Sequence, residues 1–335
     1  MRGTGQAQVQ VEGIERVAVR FAGGGDECAA WHYPSANGAC VIMAGGFAVT
    51  KEPGTDLFAR RFHDAGFGVL AFDYRRIGES GGRPRQVLPL RDQLADWHAA
   101  IAFAGTLPGV DPARIALWGF SASGGHVLRV AAQGAPVAAV IAQTPNADGP
   151  AASRNAARHQ KPGAALRFAG LVLADILGGL VGRAPILVPL DAPPGTVALL
   201  TTPDAQDSGR ALNPGNRYPQ WRQVVAARST AGLMFYRPGR DAARVPCPLL
   251  VVACEQDQAA LYAPGVKAAE RAPRGELVTL PGGHYAPFLD EHEAAVDAEV
   301  SFLTRHLTPG GGAGAPGAGP WRAGVAGTGG RERAQ

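Results

Sequence analysis

The apolar run Arg114-Ile115-Ala116-Leu117-Trp118 ends on Gly119-Phe120-Ser121-Ala122-Ser123-Gly124-Gly125, and no other stretch restricts the architecture of this chain as tightly. It reads as a strand that turns sharply into a helix and presents a hydroxyl at the apex of the turn. The apex residue of such a turn is held at positive φ, and the residues two before and two after it must be small. Gly119 and Ser123 meet that need around Ser121, and Gly124-Gly125 let the helix start close to the strand. A register centred on Ser123 also fits the spacing. Ser121 is preferred because it uses the glycine that directly ends the strand. A serine in a glycine-rich turn is usually only turn chemistry, so its partners decide what it does.

Short β-rich runs alternate with helical patterns through most of the chain, which is the pattern of a parallel α/β sheet. The strand candidates are Arg16 to Phe21, Glu27 to Tyr33, Cys40 to Met43, Gly68 to Phe72, Arg114 to Trp118, Val137 to Ala142, Leu249 to Ala253 and Glu276 to Leu280. Between them, apolar residues at three-to-four spacing predict helices over Thr55 to Ala65, Leu90 to Gly105, Ser123 to Gln133, Ala263 to Arg271 and Asp290 to His306. The alternation stops after Pro145. Residues 146–245 show Pro-rich junctions and helical patches but few strand signals, far beyond an ordinary connection of about 4–6 residues. They predict an inserted helical cap, with the apolar stretch Gly163 to Gly182 as a helix pair within it. That stretch carries Arg167, Asp175 and several glycines, which makes it a poor membrane span and leaves only peripheral membrane contact open.

Serine becomes a useful nucleophile only when a base takes its proton, and that base must itself be oriented by a third group. His32, His63, His98, His126, His159, His292 and His306 lie in strand or helix patterns, where surface or packing roles are expected. His284 instead follows Leu280-Pro281-Gly282-Gly283, a loop leaving the last strand at the sheet edge that carries the turn. The orienting acid should leave the preceding strand, where Val251-Val252-Ala253-Cys254-Glu255-Gln256-Asp257 offers two carboxylates. Asp257 is preferred, since the loop must travel a few residues past the strand to reach the histidine. Glu255 is the reserve.

The chain order Ser121, Asp257, His284, the strand-turn-helix around Ser121 and the strand count make residues 9–307 resemble the α/β-hydrolase superfamily. The likeness points to bacterial capped serine hydrolases of the esterase, thioesterase and dienelactone-hydrolase kind. Ala44-Gly45-Gly46-Phe47 looks like the family's oxyanion loop, and Asp73-Tyr74-Arg75-Arg76-Ile77-Gly78-Glu79-Ser80-Gly81 resembles its D-x-R-G-x-G-x-S loop. Gly45 stands where the family usually has histidine, and Arg76 where it has glycine. The resemblance implies an α/β-hydrolase fold, a mostly parallel eight-stranded sheet flanked by helices. Its core domain is expected over 1–145 and 246–307, the helical cap over 146–245, and a disordered Gly/Ala/Pro-rich tail over 308–335. By the same match, the backbone N–H groups of Phe47 and Ala122 form the oxyanion hole. The missing histidine implies a space or polar vacancy beside Gly45; Lys51 and Arg76 are candidates to line it, with surface charge as the plainer role for both. Trp221, Phe235, Tyr236 and Tyr285 are candidates for an apolar substrate pocket, against cap packing as the plainer role.

The implied chemistry is cleavage of a carboxylic ester, thioester or lactone through an acyl-enzyme on Ser121. A serine at the apex disfavours relatives that use aspartate there. The same triad also serves lyases, cyclases and acyltransferases that tailor secondary metabolites, and a non-catalytic binding protein on the fold is a third reading. With 335 residues and 46% hydrophobic content the chain is long enough for a real core. The net charge of +4 comes from scattered arginines, not from a basic cluster with interleaved aromatics, which argues against nucleic acid. No H-E-x-x-H spacing or phosphate-binding loop occurs, so neither metal nor cofactor is expected. The partner expected is a small, partly apolar acyl substrate, with no integral membrane segment and with a homodimer left open. Cys28, Cys40, Cys247 and Cys254 form no C-x-x-C pair and are read as free buried thiols. The first residues lack the apolar core of a secretory signal, which predicts a cytoplasmic location.

Overall fold

In the computed structural model all eight expected strands form, each ending within two residues of the expected position. The structure describes residues 8–11, 14–308 and 321–322. The first half of the chain contributes β1 (Gln8–Val11), β2 (Ile14–Gly23), β3 (Asp26–Tyr33), β4 (Cys40–Ala44), α1 (Lys51–Asp64) and β5 (Gly68–Phe72). It continues with α2 (Leu90–Ala104), β6 (Ile115–Phe120), α3 (Ala122–Ala132) and β7 (Ala139–Gln143). An insert follows, with α4 (Gly149–Arg158), α5 (Pro162–Leu180), β8 (Leu187–Pro189), α6 (Ser208–Leu212), β9 (Val224–Ala226) and α7 (Ala227–Phe235). The chain then returns through β10 (Leu249–Cys254), α8 (Tyr262–Arg271), β11 (Gly275–Leu280), α9 (His292–Leu307) and β12 (Trp321–Arg322).

The sheet runs β1-β2-β3-β5-β4-β6-β7-β10-β11-β12. β2 and β3 form an antiparallel hairpin that joins β5 antiparallel, and β5 onward every pair is parallel. The hairpin turns through Gly24 (φ 52°) and Gly25 (φ 96°), left-handed positions that glycine reaches without strain. The central strands read as continuous apolar runs, such as Cys-Val-Ile-Met-Ala in β4, because helices cover both faces; every residue of β4 and β6 is buried. Two short edge strands extend the expected eight: β1 on one side and Trp321–Arg322 beside Val278–Thr279 on the other. Apart from Thr308 and that pair, the tail expected to be disordered lies outside the described residues. All four cysteines are free and buried.

Two expectations for residues 146–245 are corrected. Gly163 to Gly182 is not a helix pair but one helix, α5, and its internal glycines do not interrupt it. The insert is also not purely helical, because β8 and β9 pair antiparallel as a small ribbon.

One core carboxyl carries a stability consequence. Glu299 of α9 lies fully buried under the sheet and accepts a hydrogen bond from Trp118 Nε1 at 3.0 Å through Oε2. Burial pushes its carboxyl well above the ordinary value of 4.5, and the single hydrogen bond offsets only part of that. The folded chain therefore keeps a proton that the unfolded chain has released, so stability falls as pH rises above 4.5. Glu299→Gln removes that loss. Thermal melts across pH are expected to show the variant more stable above neutrality, by about 2–4 °C, the shift that ~1 kcal/mol produces in a larger domain. The difference should close toward acid pH.

Candidate active site

Parallel pairing brings the carboxyl ends of β4, β6, β10 and β11 to one edge of the sheet, so the loops that leave them share one place. Ser121 stands between β6 and α3 at φ 57° and ψ −115°, the strained apex that the sequence pattern demands. Its neighbours confirm the register. A side chain at Gly119 would bring a Cβ within 2.3 Å of the Ser123 carbonyl oxygen, and one at Gly125 within 2.7 Å of the Asn146 carbonyl oxygen. Ser123, the alternative apex, is instead buried with helical backbone in α3. Its hydroxyl donates to the Gly45 carbonyl and meets Tyr74 Oη, which accepts from Trp97 Nε1 at 2.7 Å. Ser123 is thus a tie between α3 and the loop after β4.

His284 and Asp257 arrive at Ser121 as a continuous chain of hydrogen bonds. His284 Nε2 lies 3.0 Å from Ser121 Oγ, and His284 Nδ1 lies 2.8 Å from Asp257 Oδ2. A carboxylate only accepts, so the ring proton sits on Nδ1 and Nε2 is left to accept from the serine. Asp257 is itself held by its second oxygen, Oδ1, which accepts from the backbone N–H groups of Ala259, Ala260 and Leu261. Glu255, one turn of the loop earlier, is exposed and has no part in this chain. His284 is 1% exposed; burial alone would lower its imidazole, but the charge and hydrogen bond of Asp257 outweigh it and hold the group above the ordinary 6.5. The contrast with His126 is instructive. Buried in α3 between Tyr236 and Gln93 with no carboxylate partner, it is pushed down to about 3 by burial.

Phe47 and Ala122 flank Ser121 at one end of a cavity, with Ala122 at the first position of α3, where N–H groups have no partner within the helix. Among the described residues neither backbone N–H donates within the protein. The loop that carries Phe47 is tied down from three sides. Ser123 holds the Gly45 carbonyl, Trp221 Nε1 donates to the Ala48 carbonyl at 2.9 Å, and Val49 N–H closes a turn onto Gly46 at 3.1 Å. The vacancy expected beside Gly45 is absent. A Cβ there would approach Val49 Cγ1 to 3.0 Å, so Val49 and the close passage of Gly54 in α1 fill the place of the missing side chain.

Lys51 is not surface charge. At 1% exposure its ammonium meets Asp73 at 3.1 Å, Glu52 at 3.2 Å and Glu79 at 2.5 Å. Burial would lower it, but these carboxylates hold it above its ordinary value. Asp73 also accepts from the Lys51 and Glu79 backbone N–H groups, so this cluster pins the Asp73–Gly81 loop to the start of α1, directly behind the Phe47 loop. Arg76 pairs with Asp92 at 2.9 Å and likewise is not a free surface charge.

The cavity beside Ser121 has a volume of about 480 Å³ and is walled by core loops on one side and by the insert on the other. Trp221 and Tyr285 line it, as expected, but Phe235 and Tyr236 do not. They are consecutive residues at the end of α7, where the chain leaves the helix: Phe235 projects into solvent at 80% exposure, and Tyr236 turns inward to His126. Met234 lines the cavity in their place. One residue of the insert was not foreseen at all. Asp204 Oδ2 accepts from the backbone N–H of His284 at 3.1 Å and of Gln258 at 2.7 Å, so a single carboxylate clamps both the histidine loop and the acid loop. Nothing in the local pattern Thr202-Pro203-Asp204-Ala205 marks it, since it is 80 residues from His284 in sequence.

Known proteins resemble this chain over most of its length. Residues 28–298 match the model of the alpha/beta hydrolase family. The chain is 38% identical over 292 residues to the quorum-quenching protein AidA of Acinetobacter baumannii (strain MDR-ZJ06), covering 86% of this chain and 94% of that one. A shorter segment of 110 residues, 33% of this chain and 35% of the relative, is 39% identical to the thiohydrolase aneE of Aspergillus aculeatus. Among solved structures, the alpha/beta hydrolase GrgF from Penicillium sp. sh18 superposes with a TM-score of 0.73 at 25% identity, over 87% of this chain and 99% of that one. With a matching family model over most of its length, the expected sheet and the loops gathered at its carboxyl edge, this chain belongs to the alpha/beta hydrolase family.

Proposed function

We propose that this chain is a serine hydrolase that cleaves an acyl ester, thioester or lactone through an acyl-enzyme on Ser121, under a cap formed by residues 146–245. The observation that carries the reading is the unbroken Ser121–His284–Asp257 hydrogen-bond chain opening onto a mainly apolar cavity. Ser121 Oγ attacks the acyl carbon as His284 Nε2 takes its proton, and Asp257 stabilises the imidazolium that results. The negative oxygen of the tetrahedral intermediate is held by the N–H groups of Phe47 and Ala122, aided by the positive end of α3. His284 returns its proton to the leaving group, then activates a water that releases the acid. The cavity, within the range of about 300–1,000 Å³ typical of small-molecule sites, suits a medium-sized acyl chain. The name of the thiohydrolase relative favours keeping thioesters among the substrates.

A second reading is transfer of the acyl group to an acceptor other than water. It is supported by the insert residues that wall the cavity beside Ser121 and by a relative named polyketide transferase grgF, 32% identical over 160 residues.

The test joins labelling to turnover. A fluorophosphonate probe is expected to label the protein once, and p-nitrophenyl esters of increasing acyl length to be cleaved with kcat/KM rising with chain length until the cavity is full. Against pH, kcat/KM should rise through a single ionisation above the 6.5 of an ordinary histidine, because only neutral His284 accepts the proton. An unlabelled protein would leave a binding protein on the fold. Cleavage that proceeds only with an added alcohol or thiol acceptor would favour transfer.

A further inference from the structure

α5 is apolar over most of its surface, with Arg167 and Asp175 its only charged residues. Phe168, Ala169 and Val172 face the cavity, while Leu166 and Leu180 stand in solvent at 77% and 79% exposure, with Leu177 and Val181 exposed beside them. α7 packs against α5 and adds the exposed ring of Phe235. A helix this apolar is ordinarily enclosed by protein or by lipid. With 19 residues and a mean hydropathy of 1.6, α5 is long and apolar enough to cross a membrane, yet it is built into the insert. Asp175, buried in its C-terminal third, pairs with Arg228 at 3.1 Å and accepts from the Ile186 backbone at 2.8 Å, so the helix lies along the molecule as a wall of the cavity.

The exposed charge on and beside α5 has one sign. From its N-cap to the turn that follows it the basic residues are Lys161, Arg167 and Arg183, and the only carboxylate is the buried Asp175. All three basic residues are exposed, and among the described residues none of them pairs with a carboxylate. A second copy of this chain seated on the same face would set these cations against their own kind. An anionic lipid surface meets both demands at once, since its acyl region covers the leucines and its headgroups neutralise the rim.

We propose that α5 docks this protein on an anionic lipid surface, lying in the plane of the interface with Leu166, Leu177 and Leu180 immersed. The wall between bilayer and cavity is then α5 itself, and an apolar acyl substrate dissolved in the lipid reaches Ser121 past that helix without crossing water. The docking stands on the exposed face and its charge alone; the passage of substrate rests on the hydrolase reading.

Flotation of the full chain with phosphatidylcholine vesicles, with and without phosphatidylglycerol, tests the docking. Binding is expected with phosphatidylglycerol, weaker without it and weaker at high salt. Leu177→Asp and Leu180→Asp should each weaken it at least about tenfold. Neither residue lines the cavity, so cleavage of water-soluble p-nitrophenyl acetate should be unchanged, which also shows that the variants fold. Flotation with neither vesicle overturns the proposal. So does a dimer in sedimentation that the same substitutions dissolve, which would make the face a contact between copies. A parent chain that floats but cleaves no p-nitrophenyl ester would support the docking and sink the hydrolase reading, so the two failures are distinguishable.

Discussion

Ser121→Ala is expected to lower kcat for a p-nitrophenyl ester by about 10⁴- to 10⁶-fold and to abolish fluorophosphonate labelling, since no other group replaces the nucleophile. The variant should melt close to the parent temperature. The elbow backbone is strained at φ 57° with either residue, and the hydroxyl's one side-chain contact is His284 Nε2. Ser123→Ala separates the two serines of the turn. It frees the Gly45 carbonyl and loosens the Phe47 loop, so it should cost stability of about 0.5–1.5 kcal/mol, the net worth of a hydrogen bond, and part of the turnover, while labelling at Ser121 persists. Activity that survives Ser121→Ala but is lost in Ser123→Ala would place the nucleophile two residues further along.

The parts of this molecule legible in sequence are those governed by local periodicity and short spacing. β4 and β6 are buried on both faces, so their composition alone identifies them, and glycine is required at 119 because a Cβ there would come within 2.3 Å of the Ser123 carbonyl oxygen. His284 and Asp257 are legible because each leaves a recognisable strand at the same edge. The rest depends on partners distant in sequence. Lys51 reads as a surface lysine until Asp73 and Glu79 fold back onto it, and Asp204 has no meaning without the two loops it clamps. In α5 the glycines suggested a break, but a helical glycine costs only about 1 kcal/mol relative to alanine. Arg228, whose guanidinium lies where a side chain at Gly179 would be, shows what that glycine accommodates. Phe235 and Tyr236 were misplaced for a related reason: adjacent residues at a helix end part company, and only the packing of His126 against Tyr236 reveals which one turns inward.

Asp257→Asn is expected to lower kcat by about 10⁴-fold with little change in KM or fold. The backbone around it dictates why. Three N–H groups, from Ala259, Ala260 and Leu261, converge on Oδ1, so the amide must present its oxygen to them and its NH2 group to His284 Nδ1. Nδ1 then accepts, the ring proton moves to Nε2, and Nε2 no longer accepts the proton of Ser121. The loss comes from a tautomer, not from a disordered loop, so a fluorophosphonate should label the variant slowly but at the same serine. Glu255→Gln should leave kcat unchanged, because Glu255 is exposed outside the chain of bonds. Asp204 gives the matching control from the insert. Asp204→Ala releases the backbone of both His284 and Gln258 and is expected to cost about 10²-fold, the penalty of a misplaced group, whereas Asp204→Asn keeps an oxygen for those N–H groups and loses only charge. Since that charge helps hold His284 above its ordinary value, the rising limb of kcat/KM in Asp204→Asn should move to lower pH while the plateau is nearly kept. A plateau that collapses in Asp204→Asn as far as in Asp204→Ala, with the limb unmoved, would mean that Asp204 only holds the insert in place and has no electrostatic hold on the histidine.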